Sequence, residues 1–210
     1  MSILNKLASV LERSDEVPNQ LLAKEIATSG DKTAVQELVD NLANKNKDIQ
    51  SDCIKVLYEI GAIKPELIAG YVNPFVKLLT SRNNRLVWGA MTALGAIATV
   101  DTAAITKHVD TIIQATDKGS VITQDWGIRV LATLSTKDKT AAKHIFPFLL
   151  QFLEKCPAKD MPRHAESIAP ALNASNRDAI LAILRVRLPA LKPPQAKRIT
   201  RLIGQIKKLS

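Results

Sequence analysis

Three stretches of this chain superimpose when the sequence is slid along itself by 37 residues. Leu38, Val39 and Leu42 meet Phe75, Val76 and Leu79; Ile49, Cys53, Leu57 and Ile60 meet Leu86, Ala90, Leu94 and Ile97. A second shift of 37 carries Phe75, Val76, Leu94 and Ile97 onto Ile112, Ile113, Leu131 and Leu134. A fixed period constrains the fold more tightly than composition does. Each repeat is one supersecondary unit, and its apolar face is buried only by stacking on a neighbour. Within each unit the apolar residues recur at spacings of three and four, which is the helical signal. No segment alternates as a strand does. Turn clusters at residues 29–31, 44–47, 81–84, 117–120 and 135–138 divide the pattern into roughly twelve short helices.

The core these helices share is aliphatic. Hydrophobic residues make up 46% of the chain and aromatics only 4%. One place in the unit is always small: Cys53, Ala90, Gly127 and, in a fourth unit that needs one inserted residue, Ala165. A small side chain there lets the second helix of a unit lie close to its neighbour. Ile168 and Leu172 take the apolar places that follow in the fourth unit.

The segment 72–98, VNPFVKLLTSRNNRLVWGAMTALGAIA, resembles a HEAT repeat. Its first helix carries Pro74 and the Leu78-Leu79 pair; its second carries Ala93-Leu94-Gly95 and then Ile97. It departs from the usual pattern at Asn83 and Asn84, where the turn is ordinarily acidic, and at Val87-Trp88, where Val-Arg is usual. The resemblance implies an all-α fold, a right-handed α-α superhelix of HEAT-like helical hairpins. The expected organisation is one solenoid domain over 1–210. Atypical capping helices fill 1–36, HEAT-like repeats fill 37–173, and basic capping helices fill 174–210.

Several function classes are disfavoured. The two cysteines, Cys53 and Cys156, are far apart and outside any C-x-x-C pair, so neither a disulfide framework nor a zinc site is expected. Cys53 falls on the small core place and reads as packing. The N-terminus carries Lys6, Glu12 and Arg13 and no long apolar run, unlike a signal peptide. No stretch approaches about 18 uncharged apolar residues, so no spanning helix is expected. A cytoplasmic location fits best. The sequence holds no phosphate-binding glycine loop, no G-x-S-x-G and no H-E-x-x-H. His108, His144 and His164 are isolated and read as surface or boundary residues. No catalytic residue, metal ligand, cofactor or small-molecule substrate is expected.

The repeat register does single out a candidate groove. With Ala90, Ala93, Leu94 and Ile97 facing the core, Trp88, Met91, Thr92 and Gly95 point elsewhere, at about 100° per residue. The equivalent places hold Lys55 and Tyr58 in the preceding unit and Asp125, Ile128 and Arg129 in the following one. In HEAT arrays second helices line the concave face. The resemblance therefore implies a groove of Tyr58, Trp88, Met91 and Ile128, flanked by Lys55, Asp125 and Arg129 and suited to a peptide or an amphipathic helix. Trp88 and Trp126 have a second reading, as fillers of gaps between repeats. Trp126 sits beside the small place, at the edge of the core face.

Charge gives another candidate surface. The net charge is +9. Residues 1–73 hold 8 Lys/Arg against 11 Asp/Glu, whereas residues 185–210 hold 8 against none. After Pro193-Pro194 a helix places Ile199, Leu202, Ile203, Ile206 and Leu209 on one side. Lys197, Arg198, Arg201 and Lys208 lie on the other, and Arg185 and Arg187 precede them. This is either a solvated cap or a surface for phosphate, in nucleic acid or an anionic membrane. The tail has no aromatic for base stacking. Some bacterial DNA glycosylases are also built of HEAT-like helices, with Trp and Asp in a basic groove. Trp88, Asp125, Trp126 and Arg129 are the residues here with comparable chemistry, but the family's spacing is not reproduced. The leading expectation is a non-catalytic module that presents a helical groove to a protein or peptide. Nucleic-acid binding, including glycosylase activity, is the alternative.

Overall fold

The computed structural model describes residues 2–209. Those residues form twelve α-helices and six short 3-10 helices, with no strand among them. They fall into two compact units, residues 1–126 and residues 127–210.

The first unit contains α1 (Val17–Ser29), α2 (Lys32–Asp40), α3 (Lys47–Ile63), α4 (Val72–Leu78), α5 (Asn84–Ile97), α6 (Thr102–Thr106) and α7 (Val109–Lys118). The helix α8 (Val121–Lys137) begins in the first unit and ends in the second. The second unit goes on with α9 (Lys139–Lys155), α10 (Met161–Ile168), α11 (Arg177–Arg187) and α12 (Pro193–Ile206).

The 37-residue register is visible in the helix starts: α3, α5 and α8 open at residues 47, 84 and 121. The residue before each opening supplies the cap. Asn46 Oδ1 accepts from the Asp48 N–H at 2.8 Å, and Asn83 Oδ1 from the Arg85 N–H at 3.0 Å. Ser120 Oγ accepts from the Thr123 N–H at 3.4 Å. Each bond satisfies an amide that the first helical turn leaves without a partner. Between α1 and α2 the chain turns at Gly30, whose φ of 72° lies in the left-handed region that favours glycine.

Two kinds of packing build the first unit. Within a repeat, α2 lies on α3 and α4 on α5; between repeats, α1, α3 and α5 stack side by side. The lateral seam between α3 and α5 is close. A Cβ on Gly89 would come within 2.6 Å of Ile54 Cγ1, and one on Gly61 within 3.2 Å of Ala96 Cβ. In the second unit α9 stacks on α11 and α10 on α12, while α9 pairs with α10 and α11 with α12. The recurrent small residues Cys53, Ala90, Gly127 and Ala165 are all buried. Burial pushes the Cys53 thiol up to about 12, with Asp52 and Glu37 adding to the shift. It therefore stays protonated and packs as a small apolar group.

Candidate functional site

One face of the α3–α5 pair is incompletely covered. On α3 it runs through Asp48, Ser51, Lys55, Tyr58, Glu59 and Ala62, with Asp52 buried at its edge, and on α5 through Arg85, Trp88, Thr92 and Gly95, with Ala96 at the seam and Thr99 just past the helix end. The steps of three and four are those of one helix stripe. The face has three zones along about 21 Å of helix.

The central zone is aromatic. The rings of Tyr58 and Trp88 lie 5.5 Å apart at 52°, and both residues are partly exposed. Lys55 Nζ sits 4.9 Å from the Tyr58 ring centroid and 2.7 Å from Glu59 Oε1, with its side chain only 11% exposed. Burial pulls the Lys55 pKa down, but its hydrogen bonds to Glu59 and Tyr58 outweigh that and leave it raised. The ammonium is thus charged and already neutralised by Glu59. Burial raises the Tyr58 phenol against the opposing pull of Lys55.

Beyond the aromatic pair lies an apolar slot of about 440 Å³. Gly61, Ala62, Gly95 and Ala96 line it with little bulk, and Tyr58 and Trp126 supply its large flat surfaces. The opposite zone is an acidic cleft of about 340 Å³ lined by Asp15, Glu16, Asp48 and Asp52 together with Arg13 and Arg85. Several of these carboxylates have work inside the fold. Asp52 accepts from the Ser9 N–H at 2.8 Å and from Asn19 Nδ2 at 2.7 Å, and Asn19 Oδ1 accepts from the Ala8 N–H at 3.0 Å. Glu16 pairs with Arg85, and Asp15 with Arg13 at 2.6 Å. No group of three His, Cys, Asp or Glu among the described residues is placed to hold a metal ion.

Of the residues that the sequence placed in the groove, the structure brings Lys55, Tyr58 and Trp88 together. Met91 and Ile128 are corrections: both are fully buried. At the equivalent place on α3 the reason is the lateral seam. Ile54, Met91 and Ile128 occupy the same register place, 37 residues apart, and all three are fully buried. Ile54 fills the space that Gly89 leaves on α5. A second helix in such an array has two core faces, one toward its hairpin partner and one toward the next repeat, and the single-face reading saw only the first. Asp125 is partly exposed on α8, and Arg129 is exposed and belongs to the second unit. Trp126, which the sequence placed at the core edge, lines the slot; its signal was only its aromatic bulk beside a glycine.

Part of the basic tail is engaged in holding the second unit together. Arg187 Nη1 donates to the Leu153 carbonyl at 2.7 Å, near the end of α9, and lies 3.5 Å from Cys156 Sγ. Arg198 grips Glu166 of α10 through Nε at 3.1 Å and Nη2 at 2.6 Å, and Arg201 lies 3.9 Å from the same carboxylate. The Arg198 hydrogen bond holds the Glu166 carboxyl below the usual range. Arg185, Lys197 and Lys208 are exposed.

No protein-family profile matches the sequence, and no curated protein is significantly similar to it. Solved structures do match. An engineered protein superimposes with a TM-score of 0.64 at 23% identity, over 99% of this chain and 97% of that one. A computationally designed armadillo repeat protein for modular peptide recognition gives 0.63 at 16% identity, over 97% and 98%. A designed armadillo repeat protein in complex with the peptide (KR)4 gives 0.62 at 16%, over 96% and 98%. At such identities the likeness establishes architecture. The chain has the armadillo- and HEAT-like α-helical repeat fold.

Proposed function

We propose that this chain is a non-catalytic binding module that holds an extended segment of a partner protein along the exposed face of α3 and α5. The observation that carries the reading is the Tyr58–Trp88 pair. Aromatic rings paired at a tilt and partly open to solvent, beside a largely aliphatic core, suit partner contact more than packing. The slot beyond them accepts one apolar side chain, with Tyr58 and Trp126 as walls and glycine and alanine allowing close approach. The Lys55–Glu59 pair keeps the middle of the face neutral, so shape governs affinity there and charge governs orientation at the acidic end. The designed armadillo proteins that match the fold, one made for modular peptide recognition and one in complex with (KR)4, support this reading.

The test uses the full chain as bait for a displayed library of extended peptides, with the intrinsic tryptophan emission as readout. Selected peptides are expected to share an apolar anchor, and Trp88→Ala and Tyr58→Ala are each expected to weaken them at least tenfold with little change in melting temperature. If Trp88→Ala unfolds the protein at markedly lower temperature yet leaves peptide affinity intact, the ring is a packing element and the reading fails.

A further inference from the structure

The second unit has a cleft of its own, remote in sequence from the face just described. It measures about 740 Å³ and is lined by residues of α8, α9 and the turn before α11. Lys139, Lys143 and Pro147 follow one another at four-residue steps along α9, with Phe146 and Ala142 beside them. All lie in the second unit.

Its chemistry is one-sided. No lining residue is acidic, and neither lysine makes an ion pair among the described residues. The turn is already closed on itself. Asn173 Oδ1 accepts from the Ser175 N–H at 2.9 Å and from Ser175 Oγ at 2.6 Å, and Asn176 Oδ1 accepts from the Asn173 N–H at 2.8 Å. What remains on offer is the Asn173 amide donor and the two ammonium groups. Pro147 has no N–H to give the Lys143 carbonyl, so that oxygen lacks its usual helical partner. Phe146 is partly exposed, and Pro147 is exposed. The surrounding unit holds 16 Lys/Arg against 5 Asp/Glu, whereas residues 1–126 hold 13 against 15.

The spacing says which anion fits. Side chains four apart on a helix stand roughly 6 Å apart. Alternate side chains of an extended peptide, at about 3.3 Å per residue, stand about 6.6 Å apart. Two carboxylates in the pattern acidic-x-acidic therefore match Lys139 and Lys143. An apolar side chain two residues further on meets Phe146 and Pro147. Single-stranded nucleic acid fits less well, because one partly exposed phenyl ring cannot stack successive bases. We infer that this cleft is a docking site for an acidic peptide of the pattern acidic-x-acidic-x-apolar, laid along the first half of α9.

The probe is the synthetic peptide Gly-Glu-Ser-Glu-Ser-Phe-Gly, titrated into the full-length, isotope-labelled protein and followed by amide chemical shifts. Shifts are expected at residues 135–147 and 173–176, and Lys139→Glu with Lys143→Glu is expected to weaken binding at least tenfold. The same peptide with Phe replaced by Ala, or reordered to place the two Glu side by side, is expected to bind at least threefold more weakly. The idea is overturned by any of four results: no binding, shifts centred on Arg185, Lys197 and Lys208, equal affinity for the reordered peptide, or displacement of the probe by a ten-nucleotide thymidine strand at equal concentration.

Discussion

Trp88 and Met91 stand three residues apart on α5 and face different surroundings. Met91 is fully buried, and Trp88 is partly exposed against Tyr58. Truncating a buried methionine in a close-packed core costs about 2–5 kcal/mol. Met91→Ala is therefore expected to lower the urea midpoint clearly, and Trp88→Ala to lower it much less. The difference was partly legible in the sequence. The place shared by Ile54, Met91 and Ile128 is apolar in all three repeats, whereas the neighbouring place reads Lys55, Thr92 and Arg129. Constancy marks a seam and variation marks an open face, but a reading built on one helix at a time cannot show that a second helix abuts it. His164 gives a second prediction at this scale. It is 1% exposed and edge-on to Phe152 at 5.1 Å. Burial, with Arg163 adding to it, lowers its pKa from 6.5 to about 4. The unfolded chain thus binds a proton that the folded chain refuses between those two values. Stability is expected to fall as pH drops from about 6.5 toward 4, and to level off with respect to this group below that. His164→Gln is expected to flatten that part of the pH profile in matched denaturation curves.

At the scale of the element, the caps decide where each helix begins. Asn46, Asn83 and Ser120 share one register place and one task. Replacing Asn46 or Asn83 by Ala is expected to cost about 1 kcal/mol each, measured by chemical denaturation, and replacement by Ser to cost less. These starts were readable in advance because Asn and Ser before an apolar-periodic run are cap signals, and the turn clusters were found at those places. The other end of α9 was not readable. Its Leu153 carbonyl is met by Arg187 from 34 positions away, and no local pattern reports such a partner. The same holds for Arg198 and Glu166, which join α12 to α10. The sequence showed an amphipathic basic helix correctly and left open how many of its cations were free.

For the molecule as a whole, charge and light emission are both unevenly distributed. The excess of positive charge belongs to residues 127–210, and both tryptophans belong to residues 1–126. Fluorescence therefore follows the first unit, and far-ultraviolet ellipticity follows all twelve helices. Repeat proteins are stabilised by nearest-neighbour contacts, so a lesion weakens its own neighbourhood most. Met91→Ala is expected to move the fluorescence transition to lower urea and to separate it from the ellipticity transition. Coincident curves in that variant would show that the two units unfold as one.

The constant step of α3, α5 and α8 also bears on how such a chain grows. The segment from Asn84 to Ser120 spans one full period: it opens with a helix and closes with the residue that caps the next. Copying it in tandem would present each new helix with the seam, the small residue and the cap it needs. Lengthening by whole modules is then a single genetic event that conserves every local rule, whereas lengthening by any other number of residues breaks all of them at once.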